Sequence, residues 1–598
     1  MNARAATEAG PAAAAAAAVP VSRPRGRVGR MRPAYYAALV VLLGPIVTVL
    51  VLRLPLINQL NYADAWFYSG YAWAPKHEFA VFGWNYFSVR FPAILAIGVF
   101  QRAFGTTAGY VLLRYLLAVA CGWSLYLCAR RFARTRVALI GVVLLYLNPF
   151  FVRMLLWDYS GFMEVAAGLT GVTLWYWSDG RRPLWSVVPG VAFACAVFAN
   201  ALIGTALIAL LAVEALAAAR GGMAQVFIFA KRLVAMALAA VGVFVVGYLS
   251  YLEILGSLSP QELVRPTIKF LEESEQQSSL YVQPVSAWLF HEPRIWAPII
   301  VSVALAAVMR RRILGRDIPA RVAQLCVGYT AVLWAYRFLF TSSVIETWWA
   351  YSIVVVAMAP GIALLAEELA HGSRTSRRWG LVAVGAAVLA VVLIRLGPGH
   401  AGRMYKTLGT HEALLAALVA AALVCAVVVG LGRTRVRGPL LAALAVGLGV
   451  MLYAPSVLDG RGTTGIFVTS GSEEWKAYPA GKKLIDVIEQ YDNPSHRVFL
   501  WYSGLLGYVS MAWVDLPQTA DTLNEVGASE GLATVPQLAR ARLQQPNVDY
   551  VMVLAPKSAE LSLARAALGS AGFPSKVVRI GELVGSGLDY ELLAVARG

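Results

Sequence analysis

The sequence predicts a polytopic α-helical membrane protein with a small α/β domain at its carboxy-terminal end. Three observations carry that expectation. The 598 residues are 59% hydrophobic and 14% charged, which is too apolar for a water-soluble domain. Apolar runs recur between residues 34 and 455, about thirteen of them, each near the length that a bilayer requires. After about residue 456 these runs give way to alternating helix-like and strand-like segments.

Residues 1–33 hold an alanine tract, Ala12 to Ala18, followed by Arg23, Arg25, Arg27, Arg30 and Arg32. This composition predicts a disordered basic arm ahead of the membrane. No small-residue cleavage site follows the next apolar run, so the first helix is expected to be an anchor rather than a removed signal. Spans are expected at about 34–52, 109–129, 137–154, 162–178, 184–199, 201–219, 233–255, 295–309, 322–341, 348–366, 380–396, 412–431 and 438–455. The runs 184–199 and 295–309 are short, and 91–104 (FPAILAIGVFQRAF) is read as an interfacial helix.

Arginine placement predicts the orientation. Arg130/Arg131/Arg134/Arg136, Arg181/Arg182, Lys231/Arg232, Arg310/Arg311/Arg312/Arg316/Arg321, Arg374/Arg377/Arg378 and Arg433/Arg435/Arg437 fall in alternate loops with the amino-terminal arm. By the positive-inside rule these loops are cytoplasmic. The formal net charge of +18 is then mostly topological, which argues against nucleic-acid binding. The opposite face receives outer loops 54–108 and 256–294 and the tail 456–598.

The first outer loop contains Asn58 to Arg90, NQLNYADAWFYSGYAWAPKHEFAVFGWNYFSVR. Tyr62, Trp66, Phe67, Tyr71 and Trp73 read as aromatic anchors at a membrane–water boundary. Asp64 is the acid set among them. In the tail, KKLIDVIEQY has helical spacing, HRVFLWY reads as a strand, VPQLARARLQQ as a helix, VDYVMVLA as a strand, SAELSLARAALGSAG as a helix and LDYELLAVAR as a strand. No GxGxxG or P-loop pattern sits at a strand-to-helix turn, so no nucleotide is assigned. Cys121, Cys128, Cys195, Cys326 and Cys425 all lie in apolar runs, which predicts neither a disulfide framework nor a thiolate metal site.

Chemistry is expected where polar groups sit at the outer mouth of the helices: Asp64, Asp158 in WDYSGFME, Glu164 six residues on, and Arg337 one turn from the outer end of its span. Charges near hydrocarbon are costly and usually face a cavity or a partner. Arg337 either snorkels to outer headgroups or clamps a phosphate through paired hydrogen bonds. Glu164 is either a structural hydrogen-bond partner of a neighbouring helix or a functional acid, and Asp158 either caps the helix beginning near Ser160 or joins the site. His77-Glu78 and His291-Glu292 lack the second histidine of HExxH, which argues against zinc. Glu272, Glu273 and Glu275 read as a solvated helical face.

The chain resembles the membrane-embedded GT-C glycosyltransferases, in particular bacterial relatives of the dolichyl-phosphate-mannose protein mannosyltransferases and of the lipid A aminoarabinose transferases. The resemblance lies in the order of parts: one helix, an outer loop with an early acid (NYADAWFYSGYA), the Arg90-Phe91-Pro92 step, a helix ending in ARRFARTR, then LNPFFVRMLLWDYSGFMEVAAGLTGVTLWYW. It implies a GT-C-like domain over 34–455 and an extracytoplasmic α/β domain over 456–598. It also implies a multi-pass plasma-membrane hexosyl- or pentosyltransferase of the inverting type. Its donor would be a polyprenyl-phosphate-linked sugar, and its acceptor a glycan, lipid or protein of the cell envelope. The first-loop acid maps onto Asp64 as general base or metal ligand, and the second-loop acids map onto Asp158 and Glu164; Arg337 is assigned to the donor phosphate. Many relatives pair two acids in the first loop, whereas here Ala65 follows Asp64 and the next acid is Glu78. A divalent cation, Mg or Mn, would therefore need Asp158 or Glu164. The alternative function is a transporter or flippase of lipid-linked sugars, which predicts mid-bilayer acids and repeat symmetry; an inert assembly protein is a third.

Overall fold

The computed structural model describes residues 33–51, 83–148, 161–269, 296–339, 348–380, 495–502, 548–555, 558–583 and 588–596, with isolated residues 68, 70–72, 75–76, 79, 151, 155, 382–383, 487–488, 490–491 and 543–544. Up to residue 380 the chain is helical: α1 Pro33–Val51, α2 Phe91–Phe104, α3 Thr106–Ala129, α4 Thr135–Tyr146, α5 Gly161–Trp177, α6 Val187–Ala199, α7 Gly204–Arg220, α8 Met223–Leu255, α9 Trp296–Met309, α10 Ile318–Leu339 and α11 Trp348–His371. Helices are the expected outcome of long apolar runs, because hydrocarbon offers no water to backbone N–H and C=O groups. Among the described residues five helices are long and apolar enough to cross a membrane: Ala108–Ala129, Ala201–Arg220, Met223–Leu255, Ile318–Leu339 and Val354–His371. The expected runs 412–431 and 438–455, and nearly all of 380–396, lie outside the described residues.

Local chemistry sets the boundaries. Gly105, with φ +89°, turns the chain between α2 and α3, a conformation that glycine reaches without steric cost. Asn200 separates α6 from the next helix, and its side-chain oxygen accepts from the Leu202 N–H at 3.1 Å, an N-cap. Helix α8 starts about ten residues before the run at 233, after Gly222 with φ +86°. Lys231 and Arg232, read from sequence as loop cations, are therefore helical, and Arg232 is buried.

The principal core joins α1 with α3 to α11, with Trp175, Tyr176 and Tyr329 fully enclosed. Helices α6 and α8 approach closely at Gly190. A Cβ built there would meet Ala239 Cβ at 2.8 Å and the Met236 backbone at 2.9 Å, so a backbone has to move. Gly190→Val is expected to cost about 1–3 kcal/mol through overpacking, read as a lower melting point in detergent; wild-type melting would show that the two helices can separate without penalty.

In the carboxy-terminal region, β1 Arg497–Tyr502, β2 Val548–Ala555, β3 Ser575–Leu583 and β4 Leu588–Val595 form a four-stranded sheet in the order β1-β2-β4-β3. β1 and β2 are parallel, and β4 runs antiparallel to both β2 and β3. Helix α12, Ser558–Ser570, packs Leu561, Ala564 and Leu568 against Phe499, Trp501, Val551 and Leu593. Three of the strands follow the alternation read from sequence. β3 was not expected, because its segment SKVVRIGEL mixes charge and glycine with its β-branched residues. Most of KKLIDVIEQY and VPQLARARLQQ lies outside the described residues.

Candidate functional site

The loop before α2 is held by its own polar side chains. Asn85 Oδ1 accepts from the backbone N–H groups of Phe87 and Ser88 at 2.9 and 3.0 Å, an Asx-type turn. Asn85 Nδ2 donates to the Tyr71 hydroxyl at 2.8 Å, and that hydroxyl donates to the Gly83 carbonyl at 3.1 Å. Tyr71 is 1% exposed and Tyr68 is fully buried. Tyr71, read from sequence as an interfacial anchor, thus packs inward, because its hydroxyl finds two partners inside the loop. Tyr62, Trp66, Phe67 and Trp73 lie outside the described residues.

The loop is fastened to the far end of α8. The Tyr251 hydroxyl donates to the Ser88 carbonyl at 2.6 Å, and Phe79, Trp84 and Tyr251 form an aromatic cluster with centroids 4.4 to 5.6 Å apart. Phe91 fills the space above Gly247, where a Cβ would meet its ring at 2.6 Å. Tyr251→Phe leaves a carbonyl without this donor, a loss of about 1–3 kcal/mol where the group stays buried. The expected result is faster protease cleavage of the first loop in proteoliposomes; an unchanged rate would place the fastening elsewhere.

Arg90 sits at the start of α2 and is 3% exposed. Its Nη1 donates to the Tyr68 hydroxyl at 2.6 Å, and its guanidinium lies 3.8 Å from the centroid of the Tyr86 ring. Sequence reading noted this residue only as part of the Arg-Phe-Pro step. The aromatic residues crowded before it were the available signal, since an arginine beside tyrosines can stack as well as pair.

Of the four site residues expected from sequence, Glu164 and Arg337 are described. Glu164 lies in the first turn of α5 and is completely buried. Tyr329 of α10 is also fully buried. Tyr329 in turn lies 3.5 Å from the Thr205 hydroxyl of α7. Arg337 is in the last turn of α10 and 8% exposed, eight residues beyond Tyr329, which is about 12 Å along the axis at helical rise. Its burial shows that the guanidinium is enclosed by protein instead of reaching freely into solvent. Asp64 and Asp158 lie outside the described residues, as do His77, Glu78, His291, Glu292, Glu272, Glu273 and Glu275. Among the described residues no group of three or more His, Cys, Asp and Glu side chains could hold a metal ion.

At the opposite, arginine-rich end, α5, α7, α8 and α10 are joined by a buried ion network that sequence reading missed. Arg321 donates to Glu214 at 2.7 Å and also to Asp179. Arg232 lies 3.7 Å from Asp179 and donates to the Ser186 hydroxyl, the Ser178 hydroxyl and the Trp175 carbonyl at 3.0, 2.8 and 3.0 Å. Its guanidinium stacks 3.6 Å from the Trp175 ring centroid. Glu214, Arg232 and Arg321 are all under 8% exposed. Glu214, a carboxylate inside an apolar run, was the legible signal, because such a group needs a partner.

The helical body, with its fastened loop before α2 and buried charges at the helix ends, is similar in fold to solved structures of ArnT. Over 94% of its length the chain is similar to ArnT from Cupriavidus metallidurans bound to undecaprenyl phosphate, with a TM-score of 0.52, 16% identity and 97% of that chain covered. Against ArnT from the same organism in the apo state the TM-score is 0.50, at 15% identity and the same coverage of both chains. No protein-family model matches the sequence, and no curated protein sequence matches it.

Proposed function

We propose that the protein is a glycosyltransferase that moves a sugar from a polyprenyl-phosphate-linked donor to a glycan, lipid or protein acceptor of the cell envelope. One observation carries this reading: an ArnT-like fold over nearly the whole chain encloses a carboxylate, Glu164, and a guanidinium, Arg337, near the ends of α5 and α10. Those are the two kinds of charge that transfer from a lipid phosphate calls for. The ArnT structure holds undecaprenyl phosphate, and the reading extends that class of donor to this chain.

In the proposed reaction the acceptor hydroxyl attacks the anomeric carbon while the bond from that carbon to the phosphate oxygen breaks. The hydroxyl proton passes to Asp64, and the lipid phosphate leaves with the bonding electrons. A single displacement of this kind inverts the anomeric configuration. A carboxylate base supplies the step that a neutral hydroxyl lacks, and Arg337 offsets the charge growing on the leaving phosphate. Asp158 and Glu164 orient the acceptor. A divalent cation such as Mg or Mn at Asp64 would need Asp158 or Glu164 to complete its ligands. The same reading places about thirteen spans in the plasma membrane, with the amino terminus cytoplasmic and the carboxy-terminal α/β domain outside.

The test is mass spectrometry of envelope glycans and lipid-linked sugars in cells with and without the protein. The expected result is loss of one sugar increment from an envelope component together with accumulation of its lipid-linked donor. An unchanged glycan profile and donor pool would overturn the proposal. Donor movement across vesicles containing the purified chain, with no sugar transferred, would favour a flippase.

A further inference from the structure

A cavity of about 550 Å³ opens at the arginine-rich end of the molecule, between the end of α9, the start of α10 and the end of α11. Its lining combines Arg310, Arg311 and Arg312 with Glu367, Glu368 and Thr375, and includes the apolar Val308 and Phe132. Both carboxylates are already engaged. Glu368 lies 3.6 Å from Arg312, which also holds Asp317 at 2.5 Å. Glu367 lies 3.1 Å from His371 Nδ1 and accepts from the Arg134 backbone N–H at 3.1 Å. Arg310 is stacked 4.8 Å from the centroid of Trp379, which fixes the direction of its side chain. Among the described residues neither Arg310 nor Arg311 is in an ion pair.

The lining therefore includes two guanidinia outside the described ion pairs, one of them stacked on Trp379, together with Thr375 and the apolar Val308 and Phe132. Guanidinium donors match phosphate oxygens, and a lining that is both cationic and partly apolar suits a phosphate ester carrying a hydrocarbon portion. We propose that this cavity binds a phosphate ester through Arg310 and Arg311, with an anionic phospholipid headgroup as its membrane source. The inference does not rest on sugar transfer: its readout is ligand retention, so its failure leaves the functional reading untouched.

The test uses the full chain in nanodiscs of phosphatidylcholine containing a minor fraction of phosphatidylglycerol, with native mass spectrometry counting retained phosphatidylglycerol. R310Q/R311Q is expected to lower retention by about tenfold or more, as the loss of two charge-assisted contacts implies. The matched control is R181Q/R182Q, in which Arg181 likewise stacks on an aromatic ring, Trp185, at 5.2 Å; it is expected to retain lipid like the wild type. In a second arm, inorganic phosphate is titrated into the wild-type chain in neutral nanodiscs and then used to compete with phosphatidylglycerol. Competition, with protection by phosphate alone, would identify a soluble phosphate ester as an equal source; retention of lipid without a phosphate effect would identify the headgroup. Both arginines lie in an exposed turn, so the variant should melt like the wild type, and if it does not, the wild-type competition arm decides. Equal retention by R310Q/R311Q and wild type, an equal fall in R181Q/R182Q, or no ligand in either wild-type arm would overturn the proposal.

Discussion

Asp64→Asn is expected to reach the membrane at wild-type level and to transfer sugar about a hundred- to ten-thousand-fold more slowly. That range corresponds to about 2.7–5.5 kcal/mol of lost transition-state stabilisation. The amide keeps the size and hydrogen-bonding character of the side chain and removes its ability to take a proton. Folding should not suffer, since the described part of the first loop is held by Asn85, Tyr71 and the Tyr251–Ser88 hydrogen bond. The measurement is transfer from labelled lipid-linked sugar in isolated membranes, with the protein level read in parallel. Full activity in the variant would remove Asp64 as the base; loss of the protein from the membrane would make it a structural residue.

Arg321→Met should be the most destabilising single substitution in the helical region. It strips the partner from Glu214, which is 3% exposed, and removes one of two cations at Asp179. Breaking a buried pair from one side typically costs about 3–5 kcal/mol, because a charge is left where water cannot reach it. The companion variant Arg321→Met with Glu214→Leu is expected to regain much of that loss, since an apolar pair of similar size needs no counter-charge. Melting of the three proteins in the same detergent decides the matter. If the double variant is no more stable than Arg321→Met, the two residues do not act as a pair.

The buried network marks where sequence reading stopped. Arg321 and Arg232 were both read as cytoplasmic loop cations; the structure places both in helices, at the same end of the helical body. What the one-dimensional pattern lacked was their burial. Arg321 meets Glu214 across 107 positions and Asp179 across 142, and no local spacing announces such pairs. Tyr71 carries the same lesson in the loop before α2. Its ring suits a membrane boundary as well as a loop core, and only the placement of Gly83 and Asn85 around its hydroxyl selects the core.

The strands divide in the same way. β1, β2 and β4 are mostly apolar, with aromatic residues and at least one valine each, and they were recognisable. β3 owes its place to pairing with β4 over Ser575–Leu583, which supplies backbone partners that its own side chains do not advertise. The sheet order β1-β2-β4-β3 likewise depends on partners chosen across the chain.

Composition and the recurrence of apolar runs were enough to establish a many-helix membrane protein, because a bilayer forces any segment that crosses it to satisfy its backbone internally, and this requirement is met run by run. Burial of Glu164 and Arg337, the fastening of the first loop to α8, and the arginine–carboxylate network needed the tertiary structure. Each depends on which side chains face each other after the helices pack, and that choice minimises unpaired charge and unfilled volume over the whole assembly rather than within any one stretch of residues.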